Sequence, residues 1–149
     1  MPSAINPWRR TFIALAEDLC RLQDVPAPPL FDGFDKALIV SVNVDGVITD
    51  VIHPDPDDSI GRLLIQCRIA GMHGALQGDA MQKALMLNQH LALNLAGMYV
   101  MDDKTRELVH CIQMHLAHVT ASELLEVIDA MTVNALTWQH EHSDPLLSR

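Results

Sequence analysis

The run from Gly97 to Trp138 constrains the chain most. Met98-Tyr99-Val100-Met101 is short and apolar and predicts a strand. Asp102-Asp103-Lys104-Thr105 reads as a polar turn, because an Asp side chain can hydrogen-bond its own backbone. Leu108 to Leu116 predicts a second strand. Thr120-Ala121-Ser122-Glu123 has the spacing of a capping box, in which a hydroxyl and a carboxylate satisfy amides at a helix start. Leu124, Leu125, Ile128, Met131, Ala135 and Trp138 then recur at the short spacings of one helix face. No residue in this unit is of a type and spacing that asks for chemistry. It is a unit for packing and association.

The segments before it supply the complementary surfaces. Asn6-Pro7 predicts a helix start, with Asn as the cap and Pro at the first helical position. Trp8, Phe12, Leu15, Leu19 and Leu22 form its apolar stripe, and Arg9, Arg10, Glu17, Asp18 and Arg21 lie off it. Pro26-Ala27-Pro28-Pro29 stops the helix, since a residue preceding proline is pushed out of the helical region. Leu38, Val40, Val42 and Val44 alternate with Ser41 and Asn43 along a first strand. Asp45-Gly46 is a two-residue hairpin signal, and Val47 to Ile52 returns as the partner strand. His53 to Asp58 reads as a solvated acidic loop, and Leu63 to Ile69 as a third strand. Gly71 to Gly78 predicts a loose connection. Asp79 is placed to cap a second helix from Ala80 to about Leu91. The expected fold class is α+β: three helices and a five-stranded, mostly antiparallel sheet in the order α-β-β-β-α-β-β-α, forming a single domain over residues 1–149.

Charge and cysteine usage exclude several function classes. The net charge of -9 is the wrong sign for phosphate backbones and anionic membrane surfaces, so neither nucleic acid nor membrane insertion is expected. Between Asp32 and Asp58 there are seven Asp and one Lys. Cys20, Cys67 and Cys111 are isolated, an odd set that suits neither a disulfide scaffold nor a zinc site. The first ten residues lack the apolar core of a secretory signal, and no apolar run approaches the ~18 residues of a transmembrane helix. A cytoplasmic protein is expected.

Candidate chemical sites are sparse. His140-Glu141-His142 and the pair His115 and His118 are the best metal candidates, but no HExxH motif is present. His140 and His142 are expected past the last turn of the final helix, where His is favourable against the helix dipole. Asp55 to Gly61 begins like a calcium loop, yet Ile60 stands where that loop needs Gly and Gln66 where it needs a bidentate Glu. No phosphate-binding loop and no GxSxG elbow is present. The sequence assembles no acid, base and nucleophile, and calls for no cofactor.

In this order of elements the chain resembles the class I type III secretion chaperones, the Tir-chaperone-like family. The resemblance covers about residues 8 to 139. It is carried by Leu93-Asn94-Leu95-Ala96-Gly97, Met98 to Asp102, Arg106-Glu107-Leu108 and the helix from Ala121 to Trp138. Pro26 to Pro29 and the glycine-rich stretch from Gly71 to Gly78 depart from the family pattern. The resemblance implies a homodimer without catalytic activity that binds an extended segment near the N-terminus of a secreted effector and keeps it export-competent. The secretion ATPase is a further partner of such a protein.

The resemblance also implies where the contacts lie. The family's first helix and adjacent strands form cargo pockets, which puts Trp8, Phe12, Leu15, Leu38, Val40 and Val42 in contact with the effector. The same residues would otherwise be core. The second helix and the strand after it form the two-fold interface, here Met81, Leu85, Leu95, Met98 and Val100. The alternative of another class is a small α+β enzyme or a metal- or ligand-binding domain using the histidines.

Overall fold

A computed structural model describes residues 6–69, 74–94 and 97–142. The elements are α1 (Pro7–Leu22), β1 (Leu38–Val44), β2 (Val47–His53), β3 (Arg62–Ile69), α2 (Gly74–Asn94), β4 (Met98–Met101), β5 (Leu108–His115) and α3 (Ala121–Glu141). A short 3-10 turn, Leu116–His118, leads into α3. The strands form one sheet in the order β1-β2-β3-β5-β4, and every neighbouring pair is antiparallel. The architecture is the expected α+β order. No helix among the described residues is long and apolar enough to cross a membrane.

Local chemistry accounts for most boundaries. Asn6 caps α1, its side chain accepting from the Trp8 amide at 3.0 Å. Asp24, rather than the prolines, ends the helix. It adopts a left-handed conformation at φ 56°, and the amides of Val25 and Asp24 return to the Cys20 and Arg21 carbonyls. That is the Schellman pattern, with Asp where Gly is usual. Asp45 and Gly46 take φ values of 52° and 83°, as a type I′ turn requires, so Val44 pairs with Val47 across the hairpin. Asp102 Oδ1 accepts from the amides of Lys104 and Thr105 and closes the β4–β5 turn. Thr120 accepts from the Glu123 amide at the start of α3.

Alternation along the strands sorts side chains onto two faces. Leu38, Val40 and Val42 of β1, Val47 and Val51 of β2, and Leu63, Ile65, Cys67 and Ile69 of β3 are buried in one core. From the helical side that core receives Phe12, Leu15 and Leu19 of α1 and Leu124, Ile128, Met131, Ala135 and Trp138 of α3. Helix α2 lies against β4, burying Ala80 and Ala84. Gly97 precedes β4 at φ 97°, its α-carbon pressed against the Cys111 carbonyl, so a larger residue has no room there.

Four expectations are corrected. Helix α2 begins at Gly74, so residues 74–78 are helical and Asp79 lies inside the helix rather than capping it. Glycine disfavours a helix interior by only about 1 kcal/mol, which good helix formers around it offset. Helix α3 runs to Glu141, which places His140 in its last turn and His142 at its cap. Arg9, expected off the apolar stripe, is fully buried, its Nη2 donating to the Lys36 carbonyl at 2.6 Å. The segment from His53 to Asp58 is not wholly solvated either. His53 ends β2 and is buried, as is Asp58.

Candidate binding surfaces

The sheet has two edges, and the chain treats them differently. Among the described residues β1 has no strand on its outer side. Its pairing with β2 fixes which backbone groups are free. Val44 and Val47 exchange bonds across the two-residue turn, so alternate residues Val42, Val40 and Leu38 also bond inward. Ser41 and Ile39 therefore turn their amides and carbonyls outward. Exposed apolar side chains lie on this strand, on the connection that leads into it and at the end of α1: Ile39 is 51% exposed and Phe31 69%, and Leu22, Val25 and Phe34 are exposed as well.

Five of the six residues expected to touch cargo are buried within the protomer. Phe12 has no exposed surface, and Leu15, Leu38, Val40 and Val42 belong to the same core. Apolar positions of an amphipathic helix and of an alternating strand face inward, and here both faces are buried in one core. These five form the floor beneath the edge and lack surface of their own to offer. Trp8 alone is partly accessible. Its indole lies on Gly61, where an added β-carbon would come within 2.9 Å of the ring, and meets His115 edge-on with centroids 5.6 Å apart. Trp8, Phe34, Asp35 and Asp57 line a cavity of about 650 Å3.

A buried polar cluster supports the wall behind Trp8. Asp58 Oδ2 accepts from the amides of Gly61 and Arg62 and lies 3.0 Å from His53 Nε2, while Oδ1 accepts from the Ile60 amide. Burial pushes the Asp58 carboxyl up, but these amides and His53 outweigh it and hold the group below its ordinary range. Asn6 Nδ2 donates to the carbonyls of Pro56 and Asp58, which ties the start of α1 to the same loop. Burial lowers the Arg9 pKa, opposed by Asp55, Asp57 and Asp58. The sequence reading missed this cluster because its partners lie on three separate segments. An Asx-type spacing from Asp58 to Ile60 was the only local sign.

The other edge is closed by α2. The Tyr99 amide donates to Asn88 Oδ1 at 2.7 Å, and Asn88 Nδ2 donates to the Tyr99 carbonyl at 2.9 Å. The Tyr99 hydroxyl accepts from Trp138 Nε1 and Asn134 Nδ2, joining β4 to α3. Lys83 of α2 sits over the Trp138 ring and pairs with Glu141. On the outside of this unit stand the residues expected at a two-fold interface. Leu85 is 72% exposed, Met98 54%, and Val100 is exposed beside them. Met81 is half-buried against the core, and Leu95 lies outside the described residues. Met86 and Met101 are exposed as well.

Three of the candidate metal-binding histidines, His115, His118 and His142, are engaged structurally. His115 Nδ1 accepts from the Ala117 amide, and its ring packs on His118. His142 stacks on Trp138. Among the described residues no group of three or more His, Cys, Asp or Glu is placed to hold a metal ion. Cys20, Cys67 and Cys111 are buried free thiols, and burial pushes all three above the ordinary thiol range.

The fold and its exposed apolar surfaces suit a protein that binds other chains, and comparison with known proteins agrees. Residues 39–139 match the Tir chaperone protein (CesT) family, and the chain belongs to that family. No curated protein sequence matches it. Solved structures share its fold at low identity. The ExsC–ExsE complex contains a chain with TM-score 0.71 and 14% identity, the match covering 92% of this chain and 97% of the other. A chain of the HopA1–SchA chaperone–effector complex matches with TM-score 0.67 and 13% identity, over 92% and 99% of the two chains. A third match comes from the Yersinia pestis type III secretion chaperone SycH in complex with a stable fragment of YscM2. It has TM-score 0.55 and 14% identity over 85% and 98% of the chains.

Proposed function

We propose that the protein is a single-domain, dimeric cytoplasmic chaperone without catalytic activity that binds an extended, N-proximal segment of a secreted type III effector and keeps it export-competent. The observation that carries this reading is the open edge of β1, with exposed apolar side chains on that strand and on the connection into it. An extended chain can pair its backbone with the outward groups of Ile39 and Ser41, while side chains along it cover the exposed Ile39 and the exposed Phe31 and Phe34 of the connection into β1. Exposed apolar surface of this kind marks a place where a partner binds. Family membership supports the reading, as do folds shared with chaperones solved in complex with effectors. The exposed side chains of Leu85, Met98 and Val100 support a two-fold contact through α2 and β4.

The test is co-purification with the N-terminal segment of a secreted protein encoded beside this chain. A complex that survives size-exclusion chromatography is expected. Ile39→Pro removes an outward amide from an edge strand, where proline is tolerated, and should abolish capture with the melting temperature held. A monomer that ignores the segment and takes up metal stoichiometrically would support the histidine-based alternative instead.

A further inference from the structure

An antiparallel sheet left with two open edges invites unwanted pairing at both, because each presents a row of unpaired amides and carbonyls. β4 is the shorter edge, only four residues, and ends where the Asp102 turn begins. Its central residue, Tyr99, stands opposite His110 of β5 and directs its amide and carbonyl away from that strand. The Asn88 carboxamide meets both groups. One N–H and one C=O from a single planar amide satisfy one C=O and one N–H of the strand, which is the pair of bonds that a residue of a sixth strand would make. The side chain is held in place, because Asn88 is on a helix that buries Ala80 and Ala84 and is pinned to α3 through Lys83 and Glu141.

We propose that Asn88 is an edge lock. Its carboxamide stands in for a missing strand, prevents β4 from pairing with β4 of a second copy of this chain, and leaves β1 as the edge on which an extended segment can pair. The last clause rests on the function proposed above. The lock itself does not, and it can be tested on the protein without cargo.

Asn88→Leu keeps the size of the side chain and removes both bonds. In the wild-type chain the Tyr99 amide should be protected from hydrogen exchange. In the variant it should exchange about tenfold faster, the effect of one lost hydrogen bond, while the amides of β3 and β5 keep their protection. The variant should also form concentration-dependent species larger than the wild-type assembly in sedimentation. Met101→Lys, which places a charge on the same edge strand, should abolish those species without restoring Tyr99 protection. That pattern separates an opened edge from general unfolding, which lysine on β4 would not cure. Unchanged Tyr99 exchange in Asn88→Leu overturns the proposal, as does association that persists with Met101→Lys. If the lock fails these tests while Ile39→Pro still abolishes capture, the chaperone reading stands and the role of Asn88 falls. If the lock holds and Ile39→Pro captures normally, the assignment of cargo to β1 falls instead.

Discussion

At the scale of single residues, the polar groups removed from water carry the sharpest consequences. Asp58 serves three backbone amides and His53 from a buried position. Asp58→Ala leaves those donors without an acceptor and should cost at least ~1–3 kcal/mol in chemical denaturation. Its acid dependence has a definite sign. The folded-state pKa lies below the ordinary value of 3.8, so the unfolded chain takes up the proton first. The stabilisation is therefore complete above the ordinary carboxylate range and is lost as pH falls through the folded value. Melting temperatures measured from pH 6 down to pH 3 should fall less steeply in Asp58→Asn than in the wild type. Asp24 offers the opposite case, a residue whose backbone conformation is unfavourable for an L side chain. Asp24→Gly relieves it at the helix end and should gain about 0.5–1 kcal/mol after the added chain entropy is subtracted. Neither Asp was legible as a structural residue from sequence alone. The role of Asp58 depends on Gly61 and His53 folding around it, and Asp24 was hidden by the more obvious prolines that follow.

At the scale of elements, local rules were strong guides wherever period or turn chemistry decided the outcome. The hairpin at Asp45-Gly46, the turn at Asp102, the cap at Thr120 and the stripe of α3 could all be read directly, because each is set by residues within one turn or one strand pair. Ile128 shows how firmly that stripe is used. It has no exposed surface and sits amid the apolar layer between α3 and the sheet, so Ile128→Ala should cost ~2–5 kcal/mol in urea unfolding. A change under about half a kilocalorie would mean that the stripe faces solvent. Helix α2 is where local reading failed. Its glycines suggested a loop, but the helix extends over Gly74 and Gly78, continuous with the turns that bury Ala80 and Ala84 and lie against β4. The division of α1 and β1 was also only half legible. Periodicity identifies an apolar face but is silent on whether that face meets another element or a partner. Here the two predicted binding faces are buried in the same core. The accessible apolar groups are on the connection between them, at Phe31 and Phe34, and on the outer side of β1 at Ile39.

At the scale of the whole molecule, the function proposed above gives the two ends of the sheet different tasks, and the dimer prediction belongs there. Leu85 is largely exposed in the protomer, so a charge at that position costs the fold little. Leu85→Glu should yield a folded monomer in sedimentation, since an unpaired charge buried in an apolar contact is costly. Met98→Glu should act in the same direction. A wild-type protein already monomeric at micromolar concentration would sink the two-fold contact. The aromatic residues add a consequence of another kind, in light rather than in binding. The chain has two tryptophans and one tyrosine. Trp8 lies beside the acidic loop that leads into β3, half-covered and resting on Gly61. Trp138 is buried at the far end, 5.2 Å from the Tyr99 ring, with the Lys83 ammonium over its face. Each end of the molecule thus carries its own emitter. With Trp138→Phe, the remaining fluorescence should shift only when something settles on Trp8. With Trp8→Phe, it should follow the loosening of α2 from β4, so one spectrometer could time the two events separately in the same protein.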